Sequence, residues 1–131
     1  MTDIEIIRTM EKILQVPLPR LEPGDIEKYY WNKKPGYSLD STGAVAGLRL
    51  ESLFIKPVLE YVNRLRRVTG LSIYGCQLEQ GDIDFLCGRG DLTYLNIDYN
   101  PGIKDFSFLR ELKGLTSVDL RNKNLVRCAH N

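Results

Sequence analysis

Along the last two thirds of this chain, apolar and polar positions alternate in short bursts separated by turns. The stretch LTYLNIDYN, Leu92 to Asn100, is one of them. Leu95 and Ile97 are apolar and Asn96 and Asp98 polar, which predicts a strand with one buried face. The same spacing, L-x-x-L-x-L-x-x-N or close to it, recurs. It runs through Val45, Leu48, Leu50, Leu53 and Ile55, and through Val68, Leu71, Ile73, Cys76 and Leu78. It returns in Leu92, Leu95, Ile97, Asn100 and Ile103, with one residue inserted, and in Leu115, Val118, Leu120, Lys123 and Leu125. The copies start at 45, 68, 92 and 115, so the periods are 23, 24 and 23 residues.

Between the bursts lie segments with a different rhythm. KPVLEYVNRLRR places Val58, Leu59, Val62 and Leu65 at helical spacing, with Pro57 suited to a first turn and Arg66 and Arg67 to a last one. KDFSFLRELKG puts Phe106, Leu109 and Leu112 on one helical face and Gly114 at an expected C-cap. EQGDIDFLCGRG is richer in glycine and is expected to be more irregular. Ahead of the repeats, residues 3–14 carry Ile6, Ile7, Met10, Ile13 and Leu14 as one helical stripe. Thr2 or Asp3 can cap that helix, and Pro17 and Pro19 end it. LDSTGAV reads as a tight turn feeding the first burst.

Strand, turn and return, four times in register, resembles the leucine-rich repeat family over about residues 45–131. The resemblance implies an α/β solenoid of about four repeats, with a short parallel β-sheet on its concave face. Residues 1–44 are then expected to be an N-terminal helical cap over the apolar cross-section of the first repeat. Tyr29, Tyr30 and Trp31 are expected to pack near that junction, a ligand platform being the other reading. Asn100 falls where such a repeat turns its chain inward, and Cys76 holds the same position one repeat earlier. Both are read as a structural ladder that satisfies buried backbone. A second resemblance, carried by the helix, the GY-LD turn and the short repeats, is to certain bacterial leucine-rich repeat proteins such as the repeat regions of Roco-type GTPases. It implies a sensor or scaffold region ahead of a GTPase, although no G-x-x-x-x-G-K-[ST] occurs in this chain. The last repeat runs into LVRCAHN without a return helix, so an open C-terminal end, prone to self-association, is expected.

The outward positions of the strands form columns. Arg49, Asn96 and Asp119 are in one, with Ser72; Glu51, Tyr74, Asp98 and Arg121 are in the next; Tyr94 and Tyr99 flank them. Tyrosine and arginine combine large contact area with polar tips, and protein interfaces are enriched in both. These nine residues, Arg49, Glu51, Tyr74, Tyr94, Asn96, Asp98, Tyr99, Asp119 and Arg121, are therefore the candidate protein-binding face. A solvated sheet face with chance tyrosines is the plainer alternative.

Composition narrows the function further. The chain has 131 residues, 27% of them charged, and a formal net charge of +1. That gives no general drive toward nucleic acid or an anionic membrane. The run Arg64, Arg66, Arg67 is explained more simply by a helix C-terminus. The three cysteines form no CxxC pair, and the N-terminus has neither a positive start nor an apolar run. A cytoplasmic, reducing setting is expected. Catalytic constellations are scarce. The one histidine, His130, is next to the last residue. Asp82 and Asp84 lack the further ligands of a calcium loop. Cys87, beside Phe85 and Leu86, is expected to be packed. The RGD at Arg89–Asp91 is too short a match to signal adhesion. No enzyme, metal or cofactor is expected. The expectation is a non-catalytic module that binds a partner protein through its concave face. The alternative is a regulatory or dimerising repeat region of a larger signalling protein.

Overall fold

A computed structural model describes residues 1–27 and 34–121. Tyr29, Tyr30 and Trp31, and the expected open end with Lys123, Leu125 and His130, lie outside the described residues.

The described chain is an α/β structure around one five-stranded, mostly parallel sheet. The strands are β1 (Gly36–Leu39), β2 (Val45–Glu51), β3 (Gly70–Tyr74), β4 (Tyr94–Asn96) and β5 (Ser117–Asp119), and they lie side by side in that order. β1 pairs with β2 antiparallel, through the turn in which Gly43 takes φ +86°. β2 to β5 are parallel, and their register follows the sequence period. Leu48 stands beside Leu71, Leu71 beside Leu95, and Leu95 beside Val118. Each burst therefore adds one strand to the growing edge, with its apolar positions stacked on those before.

The stacked positions build the core. Leu48, Leu50, Leu71, Ile73, Leu95 and Ile97 are all buried, and Val58, Val62, Leu65, Ile83, Leu86 and Leu112 from the return segments pack against that face. Removing such a buried aliphatic side chain costs about 2–5 kcal/mol. Burial fades at β5, where Leu115, Val118 and Leu120 are only half-buried.

The helix α1 (Asp3–Leu14) forms where the apolar stripe requires it and buries Ile6, Ile7 and Met10. Thr2 and Glu5 make a full capping box at its start. The first return segment opens with a 3-10 turn at Lys56–Val58 and continues as α2 (Leu59–Arg64). Three expectations are corrected here. Arg66 and Arg67 lie beyond α2 instead of in its last turn, because the helix stops at the Leu65 cap. The other two return segments are 3-10 helices, Gln80–Leu86 and Ser107–Glu111. The glycine-rich segment is thus the longer of the two, started by a capping box between Glu79 and Asp82. Gly114 is not a C-cap. Its Cβ position is crowded by the carbonyls of Gly90 and Leu92, so it is a point of close approach between neighbouring units.

Candidate functional site

β2, β3 and β4 leave the sheet through the same local conformation. Ser52, Gly75 and Tyr99, one in each successive unit, have φ of +54°, +61° and +59°. Only glycine adopts this left-handed region without steric cost. Each of the three donates its N–H to the next unit: Ser52 to the Tyr74 carbonyl (2.9 Å), Gly75 to Asp98 (2.9 Å) and Tyr99 to Arg121 (2.5 Å).

Inside this turn sits Asn100, 2% exposed. Its Oδ1 accepts from the N–H groups of Cys76 and Leu78, both at 3.0 Å. Its Nδ2 donates to the carbonyls of Ile73 (2.8 Å), Ile97 (3.0 Å) and Asp98 (3.2 Å). One amide thus ties two units together, as its position in the pattern led us to expect. Cys76 is also buried, and its thiol faces the carbonyls of Leu50 (3.5 Å) and Tyr74 (3.4 Å). Burial pushes that thiol up to about 11.

The outward face differs from expectation in its middle. Arg49, Tyr94, Asn96 and Asp98 are 3%, 5%, 0% and 0% exposed, so these four are not open to a partner in this state. The reason differs by residue. Arg49 is covered by the chain that precedes β1. Its Nε donates to the Lys34 carbonyl at 2.8 Å and its Nη1 to the Asp25 carbonyl. Ile26 fills the notch left by two glycines in adjacent strands: a Cβ on Gly47 would lie 2.5 Å from Ile26 Cγ1, and one on Gly70 3.6 Å from Cγ2. Tyr94 reaches along the sheet, and its hydroxyl donates to Asp119 Oδ2 at 3.2 Å. Burial first, and then the Asp119 carboxylate, push that hydroxyl up to about 12. Asp98 lies under Arg121, whose backbone N–H donates to its Oδ1 and whose guanidinium is 3.3 Å from its Oδ2. Asn96 turns its Oδ1 back to the Asp98 N–H at 2.8 Å.

Two polar atoms on this face lack what Asn100 has. Ser72 Oγ and Asn96 Nδ2 are buried and make no hydrogen bond. The Tyr94 hydroxyl is near enough to feel the Asn96 side chain but not in hydrogen-bonding geometry. Leaving a polar group buried in this way costs about 1–3 kcal/mol. Ser72 and Asn96 are direct register partners, and Arg49 pairs with Ser72 on the other side.

The strand exits remain accessible. Tyr99 is 39% exposed, and Arg121 is exposed as well. Tyr74, Glu51 and Asp119 are half-buried. The Tyr74 and Tyr99 rings meet edge to face, 5.1 Å between centroids. Burial and the neighbouring Tyr99 raise the Tyr74 hydroxyl above its ordinary value. The accessible part of the nine-residue face is therefore Glu51, Tyr74, Tyr99, Asp119 and Arg121, at the strand exits.

The sequence reading missed the residues that shape the rest of the surface. Arg89, the first residue of RGD, donates to the carbonyls of Phe85 (2.9 Å), Leu65 (2.8 Å) and Val62 (2.7 Å). It closes the end of α2 from the next unit, the role assigned to Arg66 and Arg67. Threonines one residue before each of β3, β4 and β5 form a ladder: Thr69, Thr93 and Thr116 each donate backbone and side chain to the carbonyl of the preceding unit. Their recurrence at 69, 93 and 116 was visible, but their exposure hid their purpose. Cys87 is exposed rather than packed. In a 3-10 helix side chains repeat every three residues, so Ile83 and Leu86 share the buried side and Cys87 falls past it. It borders a crevice of about 110 Å³ with Arg66, Arg89 and Asp91.

Among the described residues, no group of three or more His, Cys, Asp or Glu side chains is placed to hold a metal ion. Among them, too, no helix is long and apolar enough to cross a membrane. No protein-family model matches the chain, and no curated protein matches it.

Proposed function

We propose that this chain is a leucine-rich repeat solenoid with an N-terminal cap, and that it is a non-catalytic module that binds a partner protein. Its setting in this reading is cytoplasmic, with no nucleic acid, metal or cofactor involved. The supporting observation is the edge-to-face pair of Tyr74 and Tyr99 at the strand exits, flanked by Glu51, Asp119 and Arg121. Aromatic side chains held rigid at a surface give large contact area at small entropic cost, and an ionic rim lends register. The proposed contact surface with the middle of the concave face covered is thus the exit row. Replacing Tyr74 and Tyr99 together by alanine should weaken a partner isolated by pull-down by about tenfold or more, the loss expected of a central aromatic anchor. Unchanged affinity would place the contact elsewhere.

A second reading, a regulatory or dimerising repeat region like that of a Roco-type protein, is favoured by one observation. Leu115, Val118 and Leu120 are less buried than their counterparts Leu92, Leu95 and Ile97. Light scattering tests it: a strict monomer at high concentration contradicts self-association through that end.

A further inference from the structure

Arg49, Ser72 and Asn96 stand side by side on β2, β3 and β4, in direct register and on one face. Neighbouring strands lie about 4.8 Å apart, so the three side chains present a row of donors at that spacing. The row is incompletely satisfied. Arg49 is a buried cation that, among the described residues, donates to two neutral carbonyls and pairs with no carboxylate. Ser72 Oγ and Asn96 Nδ2 are buried with no partner. The chain that covers Arg49 therefore occupies this place and leaves Ser72 Oγ and Asn96 Nδ2 unbonded. Two backbone carbonyls stand where a charged acceptor would bond more strongly. The cover itself is keyed to the site by Ile26 in the notch of Gly47 and Gly70.

We propose that this row is a recognition site for a carboxylate side chain of a partner protein. Ile26 and the carbonyls of Asp25 and Lys34 hold its entrance in the absence of the partner, as an autoinhibitory contact. A carboxylate accepts from the Arg49 guanidinium and the Ser72 hydroxyl together, and the partner's chain supplies the acceptor that Asn96 lacks. The apparent affinity of such a partner is lowered by the fraction of molecules in which the entrance is shut. This inference rests on the reading of the chain as a protein-interaction module.

The test is a random-peptide display selection on the full chain, as wild type and as Ile26→Ser, with affinities of the enriched peptides then measured. Enriched peptides should carry Asp or Glu and bind Ile26→Ser about tenfold more tightly than wild type, as expected of releasing a closed state. In the Ile26→Ser background Arg49→Gln should abolish most of that binding, and Ser72→Ala should weaken it several-fold. Ser72→Ala keeps the test decisive if Arg49→Gln does not fold. The Ser72 hydroxyl has no partner, so its removal should hold or raise the melting temperature while binding falls. Equal binding to wild type and Ile26→Ser, or binding indifferent to Arg49 and Ser72, overturns the proposal. Peptides that instead depend on Tyr74 and Tyr99 overturn this site and leave the interaction module standing. Enrichment by neither protein overturns both.

Discussion

Two buried polar clusters lie on the same few strands and differ in one respect. At the turn after β4, Asn100 makes five hydrogen bonds, and every polar atom of its side chain is used. On the outward face, Ser72 and Asn96 are as deeply buried, yet one polar atom of each is unused. A buried amide that is fully bonded rigidifies the backbone around it, whereas one that is half bonded strains its surroundings. The first cluster is a fastener between units. The second has the chemistry of a place designed for something further. Burial alone does not distinguish them; the hydrogen-bond inventory does.

The strongest way to break that distinction is to remove the fastener. Asn100→Ala takes the Nδ2 donor away from the Ile73, Ile97 and Asp98 carbonyls and orphans the Cys76 and Leu78 N–H groups, all in the interior. We expect a loss of about 2–3 kcal/mol of stability, since buried backbone left unpaired costs about 1–3 kcal/mol per group and the turn can relax in part. A urea denaturation series measures it. A midpoint equal to wild type would show that water satisfies this turn unaided, and the contrast with the outward face would collapse.

The same turn should be sensitive to alkali. Cys76 is held up at about 11 in the folded chain, against an ordinary value of 9.0 for the free thiol. The unfolded chain therefore loses this proton first. The stability contribution is complete below pH 9, declines as pH rises from 9 to 11, and is gone above. At 1.36 kcal/mol per pKa unit the total is about 3 kcal/mol. Tyr94, raised to about 12, adds a similar slope at higher pH. The difference between wild type and Cys76→Ala over pH 8–10 isolates the thiol, and parallel curves would contradict its burial in a closed turn. Cys87 offers the contrast in the native state, since it is exposed and should react with a thiol reagent while Cys76 does not.

Much of the stacked architecture was legible because one period governs it. The spacing of Leu48, Leu71, Leu95 and Val118 predicted their alignment, and the position of Asn100 predicted a buried turn. Strand periodicity says which side chains share a face, but not what lies above that face. Hence Arg49 was read as outward and open, when Asp25, Ile26 and Lys34 cover it. Their reach onto β2 and β3 is a contact between segments 15 or more residues apart, and no local pattern encodes it. β1 was missed for a related reason. GYSL is too short to show alternation, and its pairing with β2 is fixed by the Asp40–Ala44 turn and by Tyr37, which exchanges backbone hydrogen bonds with Pro19 and Leu21. Gly47 and Gly70 are register partners in neighbouring strands, and their meaning depends on Ile26.

The smallest of the expected effects sharpens the comparison most. Asn96→Ala removes one satisfied bond, from the Asp98 N–H to Oδ1, together with the unused Nδ2 donor. The first change destabilises, since that N–H lies among buried groups. The second relieves a buried group that had no partner, so the two partly cancel. We expect a net loss of about 1 kcal/mol or less, clearly below that of Asn100→Ala, although Asn96 is the more deeply buried of the two. Both variants delete the same amide from the same strand-turn unit, so the change in side-chain volume is equal between them. Equal losses in one urea series would mean that Asn96 is a fastener like Asn100, and would leave the outward row no reason to await a partner.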